Sequence, residues 1–254
     1  MEQKLIPLLE FDENKIAKAM PHHFNVVSGL PEKCVIAFFH EIVDEIAKKY
    51  NARLAGEIKS CTCRLPVYII NYEGCDIALV CGFIGAANAA AQIEELICGG
   101  ARQFIVCGSA GSLTPQPLGA LVIPNAAVRD EGASFHYAPP SYEIEADREI
   151  IEKIAAALTS CGVPYIFGKT WTTDAFYRET EEKVALRRSQ GCVTVEMEAS
   201  AMMAAAQFRD ARLGQILYCG DDLSGDDYDH RDFFDAKDTR RMLVELSIRA
   251  CAAL

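Results

Sequence analysis

Two glutamates separated by one methionine are the residues of this chain best suited to chemistry. Glu196, Met197 and Glu198 directly follow a short apolar run that begins at Cys192. An ionised carboxylate only accepts hydrogen bonds, so its two oxygens suit the two adjacent hydroxyl groups of a ribose. A structural interpretation is also open, because acidic residues are favoured where a strand ends and a helix begins. The pattern is therefore a candidate sugar site.

Four other segments place small or acidic residues at the end of an apolar run. They are FIVCGSAGSL at 104–113, AVRDEGASFHY at 127–137, TWTTDAFYRET at 170–180 and LYCGDDLSGDD at 217–227. With CVTVEMEAS at 192–200, their order and spacing resemble the nucleoside phosphorylase and uridine phosphorylase superfamily, whose members cleave the N-glycosidic bond of nucleosides. The resemblance covers about residues 35–254. It implies an enzyme that separates a base from a sugar.

The resemblance also implies roles for the residues of these motifs. Glu198 matches the ribose-hydroxyl ligand, Met197 the residue that packs on the sugar, and Glu196 is a further candidate ribose ligand. Asp221 lies where purine-cleaving members carry the acid that protonates the departing base, for which its pKa must be raised. The alternative is that the aspartates at 221–229 belong to a solvated loop.

The base is expected to stack on an aromatic wall formed by Phe176 and Tyr177. Uridine phosphorylases read the uracil edge with a glutamine and an arginine shortly after this pair, whereas this chain has Thr180 and Glu182 there. Together with Asp221, this difference favours a purine or a modified base.

The expected phosphate site departs from the family pattern. An arginine that holds phosphate two residues before the Gly-Ser pair is replaced by Val106, and the Gly-Asp-Pro-x-x-Arg loop after the first strand is absent. Gly108 and Ser109 remain candidate phosphate ligands. Candidate replacement cations are Arg64, Arg129 and Arg178. Hydrolytic relatives lack those arginines and use an acid of the first helix to activate water, a role open to Glu45 or Glu41.

We therefore expect a nucleoside phosphorylase with inorganic phosphate as co-substrate and without another cofactor or a metal. A nucleosidase is the alternative enzyme, and a non-catalytic nucleoside sensor is the alternative of another class. Family members often complete the sugar site with a histidine from a neighbouring subunit, which predicts His23 as a ribose ligand, with the adjacent His22 as the alternative. The resemblance implies a homo-oligomer, either a dimer or a trimer of dimers.

Apolar runs of strand length alternate with segments of helical period. Strands are predicted at 34–39, 103–109, 120–124, 164–168, 192–196 and 215–220, with a hairpin at 67–82. Helices are predicted at 41–50, 87–100, 146–160, 179–189, 198–208 and 236–253. This alternation predicts an α/β fold, a three-layer α/β/α sandwich around an open, central mixed β-sheet, with ligands at the carboxyl ends of the strands. One domain is expected over 1–254, with 1–33 as an N-terminal extension of unknown role.

Composition restricts the partners. The chain carries 36 acidic and 25 basic residues, a net charge of −11, which disfavours binding to nucleic acid because a polyanion requires clustered lysines and arginines. No apolar run is long enough to predict a membrane span. Eleven scattered cysteines are typical of a reducing compartment, so a cytoplasmic location is expected.

Overall fold

The computed structural model describes residues 6–24, 27–231 and 235–254. Its strands are β1 (Lys33–Ala37), β2 (Arg53–Lys59), β3 (Arg64–Tyr72), β4 (Cys75–Cys81), β5 (Gln103–Ser112), β6 (Leu121–Asp130), β7 (Glu143–Glu145), β8 (Tyr165–Thr173), β9 (Cys192–Glu196) and β10 (Arg212–Asp222). Its α-helices are α1 (His40–Lys49), α2 (Ala86–Gly99), α3 (Arg148–Ser160), α4 (Glu181–Ser189), α5 (Ala199–Phe208) and α6 (Lys237–Ala252).

The predicted fold class is confirmed. A mixed ten-stranded sheet lies between helices, with the strand order β10-β6-β8-β9-β5-β1-β4-β3-β2 and β7 paired to β6. Helices α1 and α3 both pack against α6, and α2 packs against α5. These two groups form the outer layers around a core of buried aliphatic side chains.

The expected openness of the sheet is wrong for one part of it. β5 pairs with β1 over Gln103–Cys107, and farther along it pairs with β9 through Gly111 and Ser112. Its other edge pairs with β10. Because β10 also pairs with β6, the strands β5, β10, β6, β8 and β9 form a closed ring. The closure depends on two short pairings, β5 with β9 and β10 with β6, which are too local to leave a periodic pattern in the sequence.

The predicted helices and main strands are present, with ends that differ by a few residues. The predicted hairpin turn is also present, since Glu73 and Gly74 both have positive φ values of 50° and 84°, as a type I′ turn requires. The sequence prediction missed β2 and β7. β2 lies at the edge of the sheet and is mostly exposed, and β7 has only three residues, so neither shows a clear apolar pattern.

The N-terminal segment packs across helices α2 and α5. The Phe11 ring meets the Phe208 ring edge-on at 6.4 Å, and Lys15 pairs with Asp210. Farther along, Leu30 lies beside the end of α2 and its amide donates to the Gly99 carbonyl at 3.0 Å. In the described part of the chain, no helix is both long and apolar enough to cross a membrane.

Gly99 is expected to be required by this packing. An alanine inside a helix usually stabilises by about 1 kcal/mol relative to glycine. At Gly99 a Cβ would lie 2.3 Å from the Val27 carbonyl oxygen, so Gly99→Ala should instead lower the free energy of unfolding by roughly 1–3 kcal/mol. Urea unfolding measures the change. Asn88→Ala, at an exposed position of the same helix, is the control and should be neutral or stabilising; equal behaviour of the two variants would contradict the packing argument.

Candidate active site

A cavity of about 410 Å³ opens at the carboxyl ends of β1, β5 and β9. Its wall includes Glu196, Met197 and Glu198, which follow one another at the end of β9. Gly108 and Ser109 of β5 line the same cavity. The structure thus brings three of the four predicted sugar residues and two of the predicted phosphate residues together.

The Glu196 carboxylate is held by the chain itself. Its Oε1 accepts a hydrogen bond from the Thr172 hydroxyl at 2.7 Å. Its Oε2 accepts from the backbone amides of Glu198 at 2.8 Å and Ala199 at 2.6 Å. The residue therefore caps the start of α5 as an N-terminal anion would, and it fixes the turn that carries Glu198. The structural interpretation of the motif therefore applies to Glu196, while the sugar interpretation stays a prediction for Glu198.

Glu198 is placed differently from Glu196. Its Oε1 accepts from the Gly85 amide at 2.6 Å, while the side chain is buried beside a second carboxylate. Burial raises the pKa of Glu196 to about 7, and burial together with the charge of Glu196 raises the pKa of Glu198 to about 8. Glu196 accepts more hydrogen bonds, which favour its ionised form. When the pair holds one proton, that proton therefore belongs mainly to Glu198.

Asp221 lies at the same edge of the sheet but outside the wall of the cavity. Its Oδ2 is 3.4 Å from the position that a Cβ on Gly111 of β5 would occupy. Burial raises the pKa of Asp221, against the opposing effect of a hydrogen bond from the Tyr228 hydroxyl. The neighbouring Asp222 has a lowered pKa: burial opposes ionisation, but its hydrogen bonds with Ser224 and the charge of Arg231 outweigh that effect. The two adjacent aspartates are thus suited to different tasks.

Glu179 is a second acid beside Asp221, and the sequence prediction did not include it. Burial, reinforced by the charge of Asp221, raises the pKa of Glu179 to about 7. Glu179 immediately follows the short helical turn Phe176–Arg178. It lies far from Asp221 in the sequence, so only the fold brings the two acids together. No sequence spacing indicates it.

Several other predicted site residues are not brought to the cavity. The rings of Phe176 and Tyr177 contact each other at 3.9 Å between centroids and are 49% and 87% exposed, outside the cavity wall. Arg64 pairs with Glu57 at 3.5 Å and is largely exposed. His23 lies on the N-terminal segment, where its Nδ1 accepts from the Met20 amide at 3.2 Å. These residues do not complete the site within one chain.

The charged turn after β6 is structural. Arg129 donates to the Ser134 hydroxyl at 2.9 Å and stacks on the Phe135 ring at 4.2 Å. Asp130 accepts from Trp171 and pairs with Lys183 and Arg187. Arg129 is therefore committed to this network and does not replace the missing phosphate arginine.

The two candidate acids of α1 differ in position. Glu41 lines the cavity, whereas Glu45 does not. Hydrogen bonds from Lys237 and Arg241 lower the pKa of the Glu45 carboxyl, which makes it a poorer proton acceptor. Of the two, Glu41 is the better placed to activate a water molecule in the cavity.

Two cations of α6 complete the wall, and the sequence prediction missed both. Lys237 and Arg240 line the cavity from the first turn of the helix. Their spacing of three residues indicates a common helix face, but only the tertiary structure reveals that this face lines the cavity with Ser109.

Comparison with known proteins agrees with the resemblance found in the sequence. The model of the phosphorylase superfamily matches residues 33–254. A guanosine phosphorylase of Halorubrum lacusprofundi is 28% identical over 190 residues, which are 72% of this chain and 79% of that protein. The fold is shared with purine nucleoside phosphorylase of Toxoplasma gondii in complex with immucillin-H, at a TM-score of 0.75, 23% identity and coverage of 88% of this chain and 91% of that one. It is also shared with AMP nucleosidase of Bacteroides thetaiotaomicron, at a TM-score of 0.70, 24% identity and coverage of 87% and 88%.

The protonation state of Glu198 predicts how ligand affinity depends on pH. Only the ionised carboxylate accepts from both ribose hydroxyls, so the affinity for a ribonucleoside should increase as pH rises through about 8. Well below that pH, Kd should fall by about tenfold for each unit of increase. Calorimetric titration between pH 6 and 9, without phosphate, measures this slope. Glu198→Gln should bind weakly with little slope, and a flat wild-type profile would remove Glu198 as the titrating ligand.

Proposed function

The chain belongs to the phosphorylase superfamily, a family of nucleoside phosphorylases and nucleosidases, and on this premise we propose that it is a nucleoside phosphorylase. The reaction is phosphorolysis of the N-glycosidic bond of a purine or modified nucleoside, giving the free base and ribose 1-phosphate. The observation that carries the proposal is that Glu198 shares one cavity with Gly108 and Ser109. A sugar ligand and an anion ligand therefore face the same space.

The proposed reaction assigns one task to each part of the site. A phosphate oxygen attacks C1′ as the C1′–N bond breaks, and the bonding electron pair leaves with the base. Glu198 holds the ribose hydroxyls, and its negative charge stabilises the positive charge that develops on the sugar. Asp221 donates its proton to the departing base, a task that its raised pKa supports.

Two acids, one at the end of β10 and one shortly after β8, support the choice of base. Asp221 and Glu179 offer two carboxyl groups with raised pKa values beside each other. A purine has a ring nitrogen that accepts a proton on departure, and amino or imino groups that a carboxylate can accept from.

Hydrolysis is the second candidate, and Glu41 is the observation that favours it. Its side chain lines the cavity on the side of α1, within the same space as Glu198. Val106, at the position of the family arginine, is fully buried and offers phosphate no charge. In this reaction Glu41 removes a proton from water as the water attacks C1′.

We also propose that the enzyme acts in the cytoplasm without a cofactor other than phosphate. A homo-oligomer is part of this proposal, because His23 lies outside the cavity of its own chain and is exposed on the N-terminal segment. It would reach a sugar only in a neighbouring subunit.

The first experiment is base release from purine and pyrimidine nucleosides, with and without phosphate, followed by identification of the sugar by mass. Phosphate-dependent release of purines, with ribose 1-phosphate as product, is the expected result. Phosphate-independent release of free ribose would contradict phosphorolysis and favour the Glu41 mechanism. Nucleoside binding without any release would instead favour a sensor.

Asp221→Asn is expected to lower kcat for purine nucleosides by about 10²–10⁴-fold, the range for loss of a general acid, with little change in Kd. Steady-state kinetics and equilibrium binding measure the two quantities. Asp226→Asn, an exposed position of the same loop, should retain wild-type turnover. Unchanged kcat in the Asp221 variant would exclude this residue as the acid.

A further inference from the structure

The cavity receives its positive charge from α6. Lys237 and Arg240 are the lysine and arginine residues among the described residues that line the cavity. They lie three residues apart, one turn along the helix, and so present their side chains on one face. Gly108 and Ser109 of β5 line the same cavity.

The family resemblance would place phosphate-binding arginines in β5 and after β1. In this chain both places are apolar and filled by packed side chains. Val106 is fully buried in β5, where it pairs with Ile36 of β1 and Gln215 of β10. After β1, the Phe38 ring packs on Gly108, with an atom 3.3 Å from the position of a Cβ there. No guanidinium can enter from β1 or β5 without displacing these side chains.

We propose that Lys237 and Arg240 hold the phosphate group, in place of arginines from β5 and the β1–α1 connection. The inference rests on the proposed function, because it assigns the residues that bind its co-substrate. Ser109 would add a neutral donor from β5. The anion would thus be held between the first turn of α6 and the carboxyl end of β5.

Both side chains are already oriented by their surroundings. The Arg240 Nε donates to the Tyr218 hydroxyl at 3.2 Å, and its guanidinium lies 5.4 Å from the centroid of the Phe39 ring. Lys237 pairs with Glu45, and an ammonium group has three donors, so this contact leaves it able to bind an anion. Orientation before binding reduces the entropy cost of phosphate capture.

Gln215 provides an independent indication of a polar ligand. The residue lines the cavity and is 2% exposed, and its Oε1 has no hydrogen-bond partner among the described residues. A buried polar group without a partner is costly. Because the oxygen and nitrogen of a glutamine amide are assigned from the hydrogen-bond network, the opposite assignment would present the NH₂ group to an anion.

The test compares substitutions of cavity cations with one outside it. Lys237→Gln and Arg240→Gln should each raise the KM and the Kd for inorganic phosphate by about 10- to 100-fold, the effect of losing one charge-assisted hydrogen bond. The KM for nucleoside should change by less than about threefold, because the sugar ligands lie on β9 and its following turn. Arg241→Gln is the matched control. Arg241 pairs with Glu45 at 3.0 Å, as Lys237 does, but does not line the cavity, so this variant should bind phosphate normally.

Calorimetry on the full chain separates this inference from the proposed function. Phosphate binding that is lost in the Lys237 and Arg240 variants supports the site, even if base release proves independent of phosphate. Nucleoside 5′-monophosphate is the second probe. If it binds in a Lys237-dependent manner while inorganic phosphate does not, the site holds a 5′-phosphate and the co-substrate role is overturned. Wild-type phosphate affinity in both variants, or no binding of either probe to the wild type, would overturn the inference; Arg240→Lys, which retains the charge, should recover part of the affinity.

Discussion

The change of partner along one edge of β5 is the constraint on which the site depends. This edge pairs with β1 as far as Cys107 and with β9 from Gly111. Between these pairings lie Gly108 and Ser109, whose surroundings are therefore not filled by a neighbouring strand along that edge. The same change places the end of β9, with Glu196 and Glu198, beside the end of β5. The cavity is thus a consequence of how one strand leaves one neighbour and joins another.

Because the two glutamates lie so close together, they take different functions. Glu196 accepts hydrogen bonds from Thr172 and from two amides at the start of α5, so its charge stabilises the fold. Its anion in turn disfavours ionisation of Glu198. A neutral Glu198 reduces the repulsion between the two buried acids when the cavity is empty. A ligand that donates hydroxyl protons compensates for ionisation, so ligand binding and proton release are coupled.

The sequence predicted those parts that depend on local pattern. The strand at 192–196 and the acids after it follow from an apolar run and its end, and helix α6 follows from its periodicity. The closed ring of strands could not be predicted from local pattern, because the β5–β9 pairing involves only two residues from each strand, more than 80 positions apart. Lys237 and Arg240 were missed for a related reason. Their spacing reveals that they share a face, but which face meets the cavity depends on how α6 packs on the sheet.

Electrostatics explains why local cations matter in such a chain. A net charge of −11 repels phosphate, and Glu41, Glu196 and Glu198 add acids to the cavity itself. At physiological salt, charges farther away than about 8 Å are largely screened. Capture of an anion therefore depends on the charges within the cavity, which Lys237 and Arg240 line together with these carboxylates. In the proposed reaction the sugar becomes positive near Glu198 while phosphate lies near α6. The cavity thus contains both signs of charge that the reacting groups require, and this match favours the transition state over either reactant alone.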